Sequence, residues 1–189
     1  MGQKYASYNA SGVVITYYDS IDSPPPSTAT VLAITDAQWQ AALACQYPPI
    51  LVQNDTLVIP TGPTLWQAQT AQIALLRGAY GNANAANISF TDAAGVTDTY
   101  QCDPASIDNL QNCLSGFRAA GAVPTSPIPF YWRSATNNNN PFTYADLENL
   151  SAAIAARGFA NYNQMQTLIA KVKAAKKVSA VQAVVWVNP

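Results

Sequence analysis

From Thr143 onward the chain carries one continuous amphipathic stripe, and no other feature limits the fold as strongly. Leu147, Leu150, Ile154, Gly158, Tyr162, Met165, Leu168 and Val172 recur every three or four residues, the spacing of one helix face. Thr143 stands at the N-cap position with Asp146 three residues later, so the two can close a capping box. The longest helix is expected here. The same start recurs at Thr35 with Gln38, Thr64 with Gln67, and Ser179 with Gln182, the last opening a short terminal helix. Asp36 adds negative charge to the first turn after Thr35, where the helix dipole favours it. A further helix begins at Asp103, with Pro104 at its first position, Ile107, Leu110 and Leu114 on its face, and Gly121 past its end. In the Thr64 helix, Leu65, Ile73 and Leu76 form the stripe, and Gly78 and Gly81 are expected to end it.

Between these helices the pattern changes to short strands. "KYASYNASGVVITYYDS" reads as a hairpin turning at Asn9 to Gly12, and Pro24-Pro25-Pro26 then forces an extended stretch toward Thr35. "ILVQNDTLVIP" reads as a second hairpin around Gln53-Asn54-Asp55, and "NISFTDAAGVTDTYQC" as a third, turning at Asp92 to Gly95. "PIPFYWRSATNNNNPFTY" is a strand, a loop and a strand, with the four asparagines expected at a solvated loop tip. Pro60-Thr61-Gly62-Pro63 continues neither strand nor helix and is the expected boundary between two modules. The fold class is therefore α+β. A small antiparallel β-hairpin module spans 1–60, and a helix-rich domain with short antiparallel strands spans 64–189.

Function is narrowed first by charge. Asp, Glu, Lys and Arg make up 10% of the 189 residues, against about 25% in an ordinary domain, and the net charge is −1. A surface so poor in charge fits a component held inside an assembly, although a genome bias toward alanine gives the same composition. Binding to nucleic acid is not expected, because phosphates call for a basic face. No run reaches the ~18 apolar residues of a membrane span, and "MGQKYASYNAS" is not a signal peptide, so a soluble cytoplasmic product is expected. "MGQKYA" opens like a myristoylation signal, but Ala6 stands where Ser or Thr is required. Cys45, Cys102 and Cys113 are odd in number without metal-type spacing, and a helix starting at Asp103 would hold the last two apart. Free thiols are expected.

Chemistry is narrowed by the absence of histidine, which removes Ser-His-Asp and Cys-His activation and histidine metal sites. No glycine-rich phosphate loop is present. Asp19 and Asp22, in "YYDSIDSPPP", are the one close carboxylate pair without an obvious duty, and turn formation accounts for them more simply than a catalytic dyad. No catalytic residue, metal or cofactor is expected. Lys171, Lys173, Lys176 and Lys177 concentrate at the end of the long helix, where cations complement the dipole or offer an acidic partner a docking patch. Tyr17, Tyr18, Trp39, Trp66, Tyr131, Trp132 and Trp186 are the large rings of interest, each either core or anchor. Tyr17, Tyr18, Trp39, Tyr131 and Trp132 are the candidate partner-binding residues.

Taken in order, "YYDS", the proline stretch, "ITDAQWQAALA" and "ILVQNDTLVIP" resemble the N-terminal module of phage tail fibre assembly proteins. There a "YDS" strand, a Pro-rich turn, an "ITD-x-x-W" helix and a "VxDGxLV" hairpin follow one another. Gln53-Asn54-Asp55-Thr56 lacks the glycine of that hairpin. From about Ile73 the chain resembles the DUF4376 type of domain found in phage tail genes, through "YQCDPASIDNLQNCL", "FYWRSATNNNNPFTYADLENLSAAIAA" and "KKVSAVQAVVW". The resemblance implies a non-enzymatic chaperone that helps a trimeric tail fibre fold, made in the host cytoplasm and in some cases retained on the virion tail. It carries over no catalytic or metal residue. Two other roles stay open: a structural tail or baseplate adaptor, and a fibre-tip protein whose rings and asparagines hold host surface glycans. A small carboxylate hydrolase is the most distant alternative.

Overall fold

The computed structural model describes residues 2–188, which form two compact units that divide between Ala68 and Gln69. The fold is α+β, with nine short strands and five helices among the described residues.

In the first unit β1 (Lys4–Tyr8) is the centre of a three-stranded antiparallel sheet, with β2 (Val14–Asp19) on one side and β3 (Val31–Ile34) on the other. The hairpin was legible in the sequence, whereas β3 is the far end of what read only as an extended stretch. It becomes a strand because Ser7 faces Val31 and Lys4 faces Ile34 along the open edge of β1. Helix α1 (Asp36–Leu43) follows, closed by the expected box: Thr35 Oγ1 accepts from the Gln38 backbone and Gln38 Oε1 accepts from the Thr35 backbone. Strands β4 (Leu51–Gln53) and β5 (Thr56–Val58) turn through Asn54 and Asp55, both at positive φ (49° and 56°). That is the type I′ geometry, which Asn and Asp tolerate without glycine. Gly12 ties this hairpin to the sheet. Its carbonyl accepts from the Val52 N–H, its φ is +76°, and an added Cβ would lie 2.5 Å from the Val52 oxygen. Ala6, Ile34, Ala42, Ile50, Val52 and Leu57 form the core these elements share.

Helix α2 (Leu65–Ala85) opens on the Thr64–Gln67 box. It does not end at Gly78 or Gly81 as the sequence predicts, but continues through both to Ala85. A helical glycine costs only about 1 kcal/mol, and the end of α2 is held from outside. In the second unit Arg157 donates to the carbonyls of Asn84, Ala86 and Asn87, and Gln69 donates to Val172, Lys173 and Ala175. These partners run in opposite directions along the two chains, so α2 lies antiparallel to α4 (Tyr144–Ala174).

The rest of the second unit comprises hairpin β6 (Ile88–Thr91) with β7 (Thr97–Tyr100), helix α3 (Pro104–Phe117), hairpin β8 (Tyr131–Arg133) with β9 (Asn139–Pro141), and α5 (Val178–Gln182). Tyr100, Leu110, Phe142, Leu147 and Leu150 form its core cluster, with Phe90, Phe117, Phe130 and Trp132 packed around it. Burial of each leucine contributes about 1.5–3 kcal/mol.

Two expectations are corrected here. The buried stripe of α4 leaves the predicted one at Tyr162, which is 46% exposed, while Asn161 at 1% takes the inward position. Asn161 Nδ2 donates to Asn84 Oδ1 of α2, so a polar pair replaces the apolar contact that hydropathy favoured. Ser179 does not cap the last helix either. It lies inside α5, whose N-cap Lys177 makes no side-chain capping bond, and the helix stops at Gln182. All three cysteines are free thiols, Cys102 buried and the other two half-buried. Among the described residues no helix is long and apolar enough to cross a membrane.

Candidate functional site

Helix α3 buries Leu110, and the positions flanking that face recur at the same helical period. Ser106, Asn109, Asn112 and Cys113 therefore line one side of a cleft. Tyr131, Trp132 and Arg133 of β8 form the other side, with Gln101 at one end, and the cleft volume is about 410 Å3. Tyr131 is 48% exposed, whereas Trp132 is half-buried and packs on Phe130 with centroids 6.4 Å apart. Burial pushes the Cys113 thiol pKa up, so it is a neutral wall rather than a nucleophile. No carboxylate lines the cleft, and among the described residues none pairs with Arg133.

The β8–β9 hairpin that presents these side chains is latched by Asp98 of β7. Asp98 accepts from Thr136 Oγ1 at 3.0 Å and from Asn138 Nδ2 and Asn140 Nδ2 at 3.1 Å each. The Thr99 N–H, followed by the Asn140 and Asn138 amides, holds the Asp98 carboxyl well below the usual carboxylate range. Asn140 also donates to the Tyr100 hydroxyl at 2.8 Å. The asparagine run is therefore a solvated tip only in its first half, where Asn137 and Asn138 lie exposed in the turn. Asn139 and Asn140 belong to β9, Asn140 is buried, and only Asn137, at φ 67°, turns the loop. A four-asparagine run reads as polar loop because the partner that makes it structural, Asp98, lies some forty residues earlier.

Of the other selected rings, Tyr17, Tyr18, Trp39 and Trp66 sit in the first unit and Trp186 in the second. Tyr17 and Trp39 pack together at 5.7 Å on the edge of its core, and Lys4 Nζ lies 4.9 Å above the Trp39 ring. Tyr18 alternates to the opposite sheet face, across from Tyr5. Burial pushes the Tyr17 hydroxyl pKa up. Asp19 binds the Lys4 ammonium and accepts from the Ile21 and Asp22 N–H groups, a turn role that leaves no free carboxylate pair with Asp22. The Lys4 hydrogen bond, then the Ile21 N–H, lower the Asp19 pKa to about 2. Trp66 stands 71% exposed.

A second cleft, about 600 Å3, is lined by Asn82, Asn87, Ser89, Arg157, Asn161 and Trp186. Its guanidinium is already committed to the α2 carbonyls, and Trp186 Nε1 donates to Asn188. Among the described residues no three His, Cys, Asp or Glu side chains converge as a metal site.

The family described as "Domain of unknown function (DUF4376)" matches residues 66–185, from the first turn of α2 to just past α5. The chain belongs to the DUF4376 family. The α3–β8 cleft and the Asp98 latch both lie inside the DUF4376 domain, whereas Tyr17, Tyr18 and Trp39 precede it. No curated protein and no solved structure matches the chain. Sequence reading had selected Tyr131 and Trp132 of the cleft but not Gln101, Ser106, Asn109, Asn112 or Arg133. The available signal was the three-residue spacing of Ser106, Asn109 and Asn112 along α3.

Proposed function

We propose that the protein is a non-catalytic assembly factor of a phage tail. It binds a trimeric tail fibre, or the adjacent baseplate protein, in the host cytoplasm while the particle is built, and on the virion tail where it is retained. The observation that carries this role is large apolar side chains standing in solvent on a chain with few charges. Ile21 is 69% exposed, Leu75 66% and Phe159 69%. Between Glu148 and Lys171 of α4 the only charged residue is Arg157, whose guanidinium is bonded to α2 carbonyls. The water-facing side of that helix is consequently alanine, amide and aromatic, the composition of an interface centre rather than of a free surface. The order of the N-terminal motifs, which resembles that of tail fibre assembly proteins, supports the same role. Co-expression with a neighbouring fibre gene and size-exclusion chromatography test it. The fibre should be soluble and trimeric only with this protein and should co-elute with it, and Phe159→Glu should abolish co-elution at unchanged melting temperature. A fibre that matures alone and ignores this protein would remove the assembly role.

A further inference from the structure

We infer that the α3–β8 cleft is a binding site for acidic saccharides. Three features of the same cleft converge on that ligand. Tyr131, 48% exposed, offers its ring, while Trp132, the alternate residue of β8, packs on Phe130 and the core cluster and so fixes the strand that carries it. The C–H faces of a sugar carry partial positive charge and lie well on the negative face of such rings. Gln101, Asn109 and Asn112 supply neutral donors and acceptors, the groups that match hydroxyls without demanding a counter-ion, whereas the Ser106 hydroxyl is committed to the Asp103 cap. Arg133 supplies a guanidinium with no carboxylate partner among the described residues, and no acidic side chain lines the cleft to compete for it. A planar guanidinium binds carboxylate or phosphate in bidentate fashion, so it selects a sugar bearing an anion over a neutral one. The volume of about 410 Å3 falls within the range of small-molecule sites.

The site is also pre-organised. The Asp98 latch fixes the β8–β9 hairpin, and Phe130 backs the Trp132 ring, so little side-chain freedom is lost when a ligand arrives. This inference is independent of the assembly role, since it needs only the isolated chain.

The test is saturation-transfer NMR and fluorescence titration of the full chain. The probes are sialyllactose, a glucuronate-containing tetrasaccharide and mannose 6-phosphate, with lactose as the neutral control. At least one acidic sugar should bind about tenfold or more tightly than lactose, the ratio that one bidentate ion pair worth ~1.4 kcal/mol sets. Arg133→Gln should reduce that preference to near unity, and Tyr131→Ala should remove binding of the acidic sugar. Both side chains are exposed, so neither change should move the melting temperature, which a parallel thermal scan verifies. Absence of binding to all three acidic probes would overturn the inference, as would binding that survives both substitutions.

Discussion

Replacing Gly78 and Gly81 by alanine should stabilise the protein, although the sequence places both where a helix would stop. In the structure both lie inside α2, and a Cβ built on either meets nothing within 4 Å. The added methyl therefore brings no clash, while the unfolded chain loses the freedom that glycine gave it. Each substitution is worth about 0.5–1 kcal/mol in a helix interior, so the double variant should gain roughly 1–2 kcal/mol. For a chain of this size a kilocalorie shifts the melting temperature by roughly 2–4 °C, giving an expected rise of about 2–8 °C. Circular dichroism at the helical band, with urea titration in parallel, reads this directly. Gly12→Ala is the opposing control: its φ of +76° and the Val52 oxygen 2.5 Å from the new Cβ make the same change destabilising. The left-handed backbone alone costs about 1–2 kcal/mol there. Destabilisation by Gly78→Ala and Gly81→Ala would refute the reasoning, because it would mean that α2 ends at or near these positions.

Arg157→Met should fray the last turn of α2 by removing charge-assisted bonds to three carbonyls. The loss is on the order of 2 kcal/mol, and amide exchange near 82–87 should accelerate while α3 amides stay protected. Asn140→Ala should cost about 1–3 kcal/mol by leaving the buried Tyr100 hydroxyl without its donor, and should broaden the NMR signals of the β8–β9 loop. An unchanged melting temperature would show that water replaces the amide. The Lys4–Asp19 pair sets a pH window. The Asp19 pKa is lowered to about 2, so its contribution is complete above its usual value of 3.8 and disappears as pH falls through 2. The Lys4 pKa is raised, so its contribution is complete below 10.5 and is lost as pH rises above that value. Lys4→Met should therefore destabilise the first unit between about pH 4 and 10, and the difference from the wild type should shrink as pH falls through about 2 in a chemical-denaturation series. A constant difference across that range would assign the effect to the Lys4–Trp39 contact instead.

Residues adjacent along the chain were sufficient to specify much of this molecule. The boxes at Thr35, Thr64 and Thr143, the cap at Asp103, and the hairpins at Asn9–Gly12, Asn54–Asp55 and Asp92–Gly95 all depend on partners within a few positions. Periodicity likewise identified Leu110, Leu147 and Leu150 as core, since burial of a helix face follows from spacing alone. Tertiary structure decided whatever depended on a distant partner. Strand β3 exists because β1 offers it an edge, α2 passes its glycines because Arg157 and Gln69 bind it to α4, and Asn161 displaces Tyr162 because Asn84 faces it. The candidate site divides in the same way. Tyr131 and Trp132 stood out by residue type, but their juxtaposition with Asn109 and Asn112 arises only when α3 packs beside a hairpin that Asp98 holds in place. A single sequence encodes short-range hydrogen bonding and hydropathic period locally. Which polar side chains meet across the fold depends on every intervening turn, and only the packed structure shows it.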